Sequence, residues 1–165
     1  MYGDSGTRSG SNTSDDQAAV ASQIGRPPRG SWSVARRCAC GLPQVIETHP
    51  RLEDGTPFPT RWWLTCRTLS SALGRLEAEG WMADMNSRLA SDPDLSALLQ
   101  ASVETYVEKR EEIEPLGAKG YPGGGPGRVK CLHAHVAHHL MSGDNPVGEA
   151  ALEHLGWRDP QVPCG

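Results

Sequence analysis

Apolar positions alternate in short runs up to about residue 66 and recur at helical spacing after it. Trp32, Val34 and Arg36 alternate with Ser33, Ala35 and Arg37, which is the two-residue period of a strand. Val45-Ile46-Glu47-Thr48 offers a second β-compatible run, and Arg61-Trp62-Trp63-Leu64-Thr65-Cys66 a third, rich in aromatic residues. The tight Cys38-Ala39-Cys40-Gly41 segment and the turn chemistry of Glu53-Asp54-Gly55-Thr56-Pro57 lie between them. Connections this short leave no room for parallel crossovers, so a small antiparallel sheet of about three strands is expected.

From Arg67 onward the period changes. Leu69, Leu73 and Leu76 share one helical face, with Thr68 or Ser70 available as a cap. Gly80 allows a break, and Trp81, Met82, Met85 and Leu89 continue the spacing. Ser91-Asp92-Pro93 combines a capping residue with a first-turn proline, and Leu95, Leu98, Leu99, Val103, Tyr106 and Val107 form the buried stripe that follows. The charged run 108–114 reads as a solvated face, and the glycine- and proline-rich stretch 117–127 as a loop. An amphipathic helix is expected over about 129–141. Asn145-Pro146 then opens a short segment in which Val147, Ala151, Leu152 and Leu155 can pack back. The expected architecture is α+β: a three-stranded sheet followed by four or five helices.

At the N-terminus, residues 1–21 are mostly Ser, Gly, Asp, Thr and Asn, and burial there cannot offset the entropy of ordering. A disordered tail over 1–23, one domain over 24–157 and a C-terminal tail over 158–165 are therefore expected. A length of 165 residues suits one core. The net charge of −4 argues against a general polyanion binder, so nucleic acid is not an expected partner. A basic-then-apolar leader is missing, as is any run near the ~20 apolar residues of a spanning helix, so a cytoplasmic location without membrane attachment is expected. Five cysteines, an odd number, cannot all pair within one chain. In a reducing compartment they point to metal, catalysis or burial.

Candidate chemistry concentrates in the helix expected over 129–141. A helical wheel places Cys131, His135 and His138 on one stripe with His139 at its border, beside the apolar Leu132, Val136 and Leu140, while His133 projects elsewhere. Zinc is the cofactor such donors would take, in one of two arrangements. The first is a closed site of Cys38, Cys40, Cys66 and Cys131. In the second, one of His133, His135 and His138 substitutes and leaves a position for hydrolysis by metal-bound water. The spacing of Cys38 and Cys40 is one residue shorter than common zinc knuckles, and the plain alternative is buried thiols and half-exposed histidines. A second candidate is an anion site. Arg128 and Lys130 follow the glycine loop and open the expected helix, whose free amides attract negative charge, and Arg61, Arg37 or Arg51 join if the fold gathers them. The loop lacks the phosphate-loop pattern, and a connector with a basic first turn explains it equally. Glu53 and Asp54 offer a general base beside Thr60 or Thr65, or a rigid turn, and Trp62-Trp63 a stacking pair, or one core and one surface ring.

Several separated motifs occur in a recognisable order: Cys38-Ala39-Cys40-Gly41-Leu42-Pro43, residues 54–60, Leu64-Thr65-Cys66, Arg128-Val129-Lys130-Cys131-Leu132-His133 and Asn145-Pro146-Val147-Gly148. Across about 24–155 the chain resembles the bacterial domain of unknown function 501 family. The resemblance implies that residues 54–60, Cys66, Arg128, Lys130, Cys131, His133 and His138 occupy positions of the family pattern. The chain departs from it at Arg67, where proline is usual, at His135, where an apolar residue is common, and in its longer glycine run. The expectation is an uncharacterised domain with a polar site where the last long helix meets the sheet. It would be a non-catalytic protein-interaction module, or a metal-dependent hydrolase acting on a phosphorylated or other anionic small molecule.

Overall fold

A computed structural model describes residues 12–117, 120–124 and 127–158. Three strands, β1 (Trp32–Arg37), β2 (Pro43–Thr48) and β3 (Trp62–Leu64), form an antiparallel sheet in the order β1-β2-β3. Helix α1 (Ser14–Ile24) precedes the sheet; α2 (Arg67–Ala78), α3 (Trp81–Ser91), α4 (Pro93–Ile113), α5 (Leu132–Ser142) and α6 (Pro146–His154) follow it. The α+β class and the five helices after the sheet match the periodicities. Among the described residues no helix is long and apolar enough to cross a membrane.

Consecutive residues of a strand point to opposite faces, yet Val45 and Ile46 in the central strand are both essentially inaccessible. Both faces of the sheet are therefore covered. Helix α1 packs on β2, and α5 packs on β3 and on α6. Leu69, Leu73 and Leu76 of α2 and Leu99, Val103 and Tyr106 of α4 join Leu132 and Val136 of α5 in one core. Side-chain caps start α4 and α6 where the sequence puts them, Asp92 accepting from the amides of Asp94 and Leu95 and Asn145 from those of Val147 and Gly148, whereas α2 starts behind Cys66 without a side-chain cap, so neither Thr68 nor Ser70 caps it. Gly148 brings α6 onto α5, since a Cβ there would overlap the His135 carbonyl oxygen and lie 2.6 Å from His139 Cβ.

Several expectations need correction. Residues 14–23, expected in the disordered tail, belong to a helix. Thr13 and Asp16 form a reciprocal capping box, Val20 is fully buried, Asp16 pairs with Arg37 at 2.9 Å, and Gln23 donates to the Pro43 carbonyl. One buried apolar residue is a faint sequence signal, and the tertiary anchors supply the rest. The remainder of that tail, residues 1–11, lies outside the described residues, as do 159–165 of the expected C-terminal tail.

Helix α5 begins at Leu132, not near Val129. The amide of Val129 is taken by Asn86 Oδ1, and those of Lys130 and Cys131 both reach the Gly123 carbonyl, so these residues are held in an extended approach. Nor is the glycine stretch slack where it is described: Tyr121 is buried in the core, and Gly123 anchors the chain ahead of α5. In the run read as a solvated face, Arg110 is fully buried and donates to the carbonyls of Pro59 and Gly120 at 3.1 and 2.6 Å.

Candidate functional site

A cleft of about 540 Å³ opens between the end of α1, strand β3 and the start of α5. Its walls include Ile24, Arg26, Trp63, Thr65, Cys131 and His133. Cys131 is the N-cap residue of α5, where a thiolate meets the positive end of the helix. His133, on the first turn, lies over α2. Its Nε2 is 3.0 Å from the Ser70 carbonyl, its Nδ1 is 3.3 Å from Glu77 Oε1, and Cys131 Sγ lies 4.0 Å from the same Nδ1. Glu77 is pinned in turn by the Leu132 amide, which donates to Oε1 at 2.7 Å.

The chemistry of these atoms dictates what can occupy the space between them. A backbone carbonyl only accepts, so Nε2 carries a proton and donates it to Ser70. In the neutral ring Nδ1 is then a bare lone pair facing a carboxylate oxygen and a sulfur. Three electron-rich atoms converge, and they need a cation between them, either a proton on Nδ1 or a metal ion. Among the described residues Glu77, Cys131 and His133 form the one group of three or more such side chains whose donor atoms all lie within 4.8 Å of one another. With metal bonds of about 2.0–2.3 Å, tetrahedral zinc places its N and O donors about 3.4 Å apart and N and S about 3.6 Å apart. The observed 3.3 and 4.0 Å are close to these. The Ser70 bond to the remote nitrogen is the outer-shell partner a metal-bound histidine ordinarily has.

With a proton in that position the same residues form an ion pair. Hydrogen bonding to Cys131, then to the Ser70 carbonyl, with the Glu77 charge, lifts His133 to about 9 against the opposing effect of burial. Burial pushes the Cys131 thiol up, but the hydrogen bond with His133, the Ala134 amide and the imidazolium charge outweigh it and hold the thiol below its ordinary value.

The other expected ligands go elsewhere. His135 and His138 are essentially inaccessible, which corrects the stripe that joined them to Cys131: that residue precedes the helix, and the two rings face the core. His135 Nε2 donates to the Gly123 carbonyl, and His138 Nε2 faces Asp144 Oδ1 at 3.4 Å. Both Nδ1 atoms accept from the Asn145 amide at 3.1 Å, and the Tyr121 hydroxyl reaches His138 Nδ1 at 2.9 Å. Burial drives each ring down to about 4. For His135 the bonds to Gly123 and Asn145 oppose this; for His138 Asp144 opposes it, while the His135, His139 and Lys109 charges add to it. A display of these histidines to a protein partner is excluded by the same burial.

Cys38 and Cys40 sit in the turn between β1 and β2, with sulfurs 2.9 Å apart, and Cys66 is the buried N-cap residue of α2. None of the three joins Cys131 in a metal-sized group among the described residues. Arg61 is committed to Glu47 at 2.6 Å and lies over the Trp62 ring. Arg128 and Lys130 are exposed, precede α5 instead of opening it, and do not line the cleft. Its cation is Arg26, which the sequence did not single out. Asp54 accepts from the Thr56 amide in an exposed turn. Trp62 packs in the core against Tyr106 and His138, whereas Trp63 stacks on Phe58 and lines the cleft. Ser70 and Glu77 were also missed, although their seven-residue spacing puts both on one face of α2.

The family model described as "Protein of unknown function (DUF501)" matches residues 34–153. No curated protein and no solved structure matches the chain.

Proposed function

We propose that this chain, which belongs to the DUF501 family, binds a zinc-class divalent ion through Glu77, Cys131 and His133 and turns an open coordination position toward the cleft. The observation that carries the reading is the convergence of a carboxylate, a sulfur and an imidazole nitrogen on one point, with the tautomer set by Ser70. Three protein donors leave a fourth position, which is the composition of catalytic and not of structural zinc sites. An ion so placed would supply a nucleophile at neutral pH by acidifying a bound water. The chain's own residues orient the substrate. Trp63, Leu64 and Ile24 offer an apolar wall, Arg26 one positive charge, and Thr60 and Thr65 hydroxyl partners. The substrate class that suits them is a small molecule with an apolar body and one anionic group, cleaved by hydrolysis.

Elemental mass spectrometry of protein purified without chelator, followed by titration with zinc and cobalt(II), tests this. About one ion per chain and a thiolate-to-cobalt absorption band are expected, and Glu77→Gln, Cys131→Ser and His133→Ala should each abolish the band. A chain that retains no metal and takes up none at micromolar zinc refutes the reading. One specific observation favours a second reading: on the cleft wall the Cys131 sulfur sits at the start of α5, 4.0 Å from His133 Nδ1, and a proton held by His133 beside that thiol makes Cys131 a nucleophile for covalent catalysis. In that case Cys131 reacts with alkylating agents in metal-free protein, and His133→Ala slows the reaction.

A further inference from the structure

The cleft does not end at Trp63. A narrower recess of about 20 Å³ continues from it over β2, and Ile24, Arg26 and Trp63 stand in the walls of both. The recess adds Arg29 and Phe58 to the lining and contains neither Cys131 nor His133. The two spaces form one groove, with Cys131 and His133 at its wide end and two arginines at its narrow end.

The sequence builds each wall. Gly25 ends α1 at a φ of 79°, and Pro27 and Pro28 then exclude helix and hold the chain extended. A proline-fixed segment turns once in about three residues, which puts Arg26 and Arg29 on one side of it. Both line the recess. The aromatic wall is fixed as well. The Phe58 amide donates to the Pro50 carbonyl at 2.7 Å, and the Phe58 ring stacks on Trp63 with centroids 5.7 Å apart and planes 10° from parallel. That contact sets the plane of the Trp63 ring and gives the groove a rigid, flat aromatic surface.

Size and charge then assign the two ends. A space of about 10–15 Å³ admits one water-sized group, so the recess of about 20 Å³ holds an oxygen head and no ring, whereas the cleft of about 540 Å³ has room for a ring over Trp63. Arg26 is exposed and makes no hydrogen bond or ion pair among the described residues. Arg29 shares its charge with the exposed Asp54 carboxylate. Two guanidiniums and one carboxylate leave a positive balance at this end, which an anionic ligand neutralises.

We propose that the groove selects an aryl anion: a flat aromatic ring lies on Trp63, and its carboxylate or phosphate oxygens enter the recess between Arg26 and Arg29, at the end remote from Cys131 and His133. This rests on the reading of the cleft as a substrate site, and it narrows the substrate to an aromatic compound whose charged group is not the one hydrolysed. Arg26 and Trp63 are the specificity-determining residues. The first selects for charge, and the second for a ring over a saturated body of equal size.

The test titrates the full chain, as purified and again after chelator treatment, with phenyl phosphate, benzoate, cyclohexyl phosphate and benzyl alcohol. Binding is followed by NMR of isotope-labelled protein, with the indole signals assigned from single Trp variants. Phenyl phosphate should shift the Trp63 indole signal and bind about two- to ten-fold tighter than cyclohexyl phosphate, the ratio that ring stacking supplies. The tighter of phenyl phosphate and benzoate identifies the head group. Arg26→Gln, an exposed change, should weaken both aryl anions about ten-fold and leave benzyl alcohol unchanged. Trp63→Leu should bring phenyl and cyclohexyl phosphate to equal affinity. Equal affinity of those two for the unaltered protein overturns the proposal, as does an unchanged affinity in Arg26→Gln or no binding of either aryl anion at millimolar concentration. These preferences in a chain that takes up no zinc would leave this inference standing and the metal reading refuted; zinc uptake without them would do the reverse.

Discussion

Acidification tests the buried histidine network most directly. His135 and His138 have folded values of about 4 against an ordinary 6.5. Between those limits the unfolded chain binds more protons than the folded one, so stability rises with pH in that window. The contribution is intact above about pH 6.5, is lost as pH falls toward 4, and changes no further below it. That difference corresponds to about 3 kcal/mol for each ring, or up to about 6 kcal/mol for both. That is comparable with the whole stability of an ordinary domain, about 5–15 kcal/mol. The hydrogen bonds explain why neither ring accepts a second proton easily. The Asn145 oxygen is occupied by the amides of Val147 and Gly148, so its NH₂ group must point at both Nδ1 atoms, and a protonated Nδ1 would face a donor. Urea unfolding followed by tryptophan fluorescence from about pH 7 to about pH 4 should show a slope near 1.4 kcal/mol per pH unit for each titrating ring. Trp62, 5.7 Å from the His138 ring, is a local reporter. His138→Gln should reduce the slope. Stability independent of pH across that window, or an unchanged slope in His138→Gln, would refute the network.

Gly148→Ala should cost about 1–3 kcal/mol, because α6 must retreat from the α5 backbone; denaturant midpoints measure it. Arg110→Met removes the guanidinium donor from the Gly120 carbonyl and leaves the Pro59 carbonyl only the 3.5 Å contact with the Tyr106 hydroxyl, and should destabilise by about 1–3 kcal/mol for each group left unsatisfied, read by the same unfolding curves. Arg128→Ala should change stability by less than about 0.5 kcal/mol and leave zinc affinity unaltered, since the residue is exposed and outside the cleft; calorimetric titration checks the second point. Alkylation of Cys131 in metal-free protein should slow several-fold in His133→Ala, and the pH midpoint of its rate should rise toward that of an ordinary thiol.

The sequence by itself determined what depends on neighbours along the chain. The alternation around Val34, the β-compatible run around Ile46, the helical spacing of Leu69, Leu73 and Leu76, and the Asp92-Pro93 and Asn145-Pro146 starts are local properties, and a strand or helix occurs where each puts it. Cys131 and His133 were legible as candidates because their donor types are uncommon in combination. Their partner was not. Glu77 is 55 residues from Leu132 and Ser70 is 63 from His133, and only the packing of α2 against α5 decides that both meet this ring. The wheel misassigned the other histidines because it assumed a helix through Cys131, whereas the amides of Val129, Lys130 and Cys131 are claimed by Asn86 and Gly123. Helix α1 escaped notice since Val20 alone carries its apolar burial and its remaining anchors, Asp16 to Arg37 and Gln23 to Pro43, are contacts with a distant hairpin. Periodicity reports which face of an element is buried. Which donors converge on one point depends on how the elements cross, and that is decided only when the core closes.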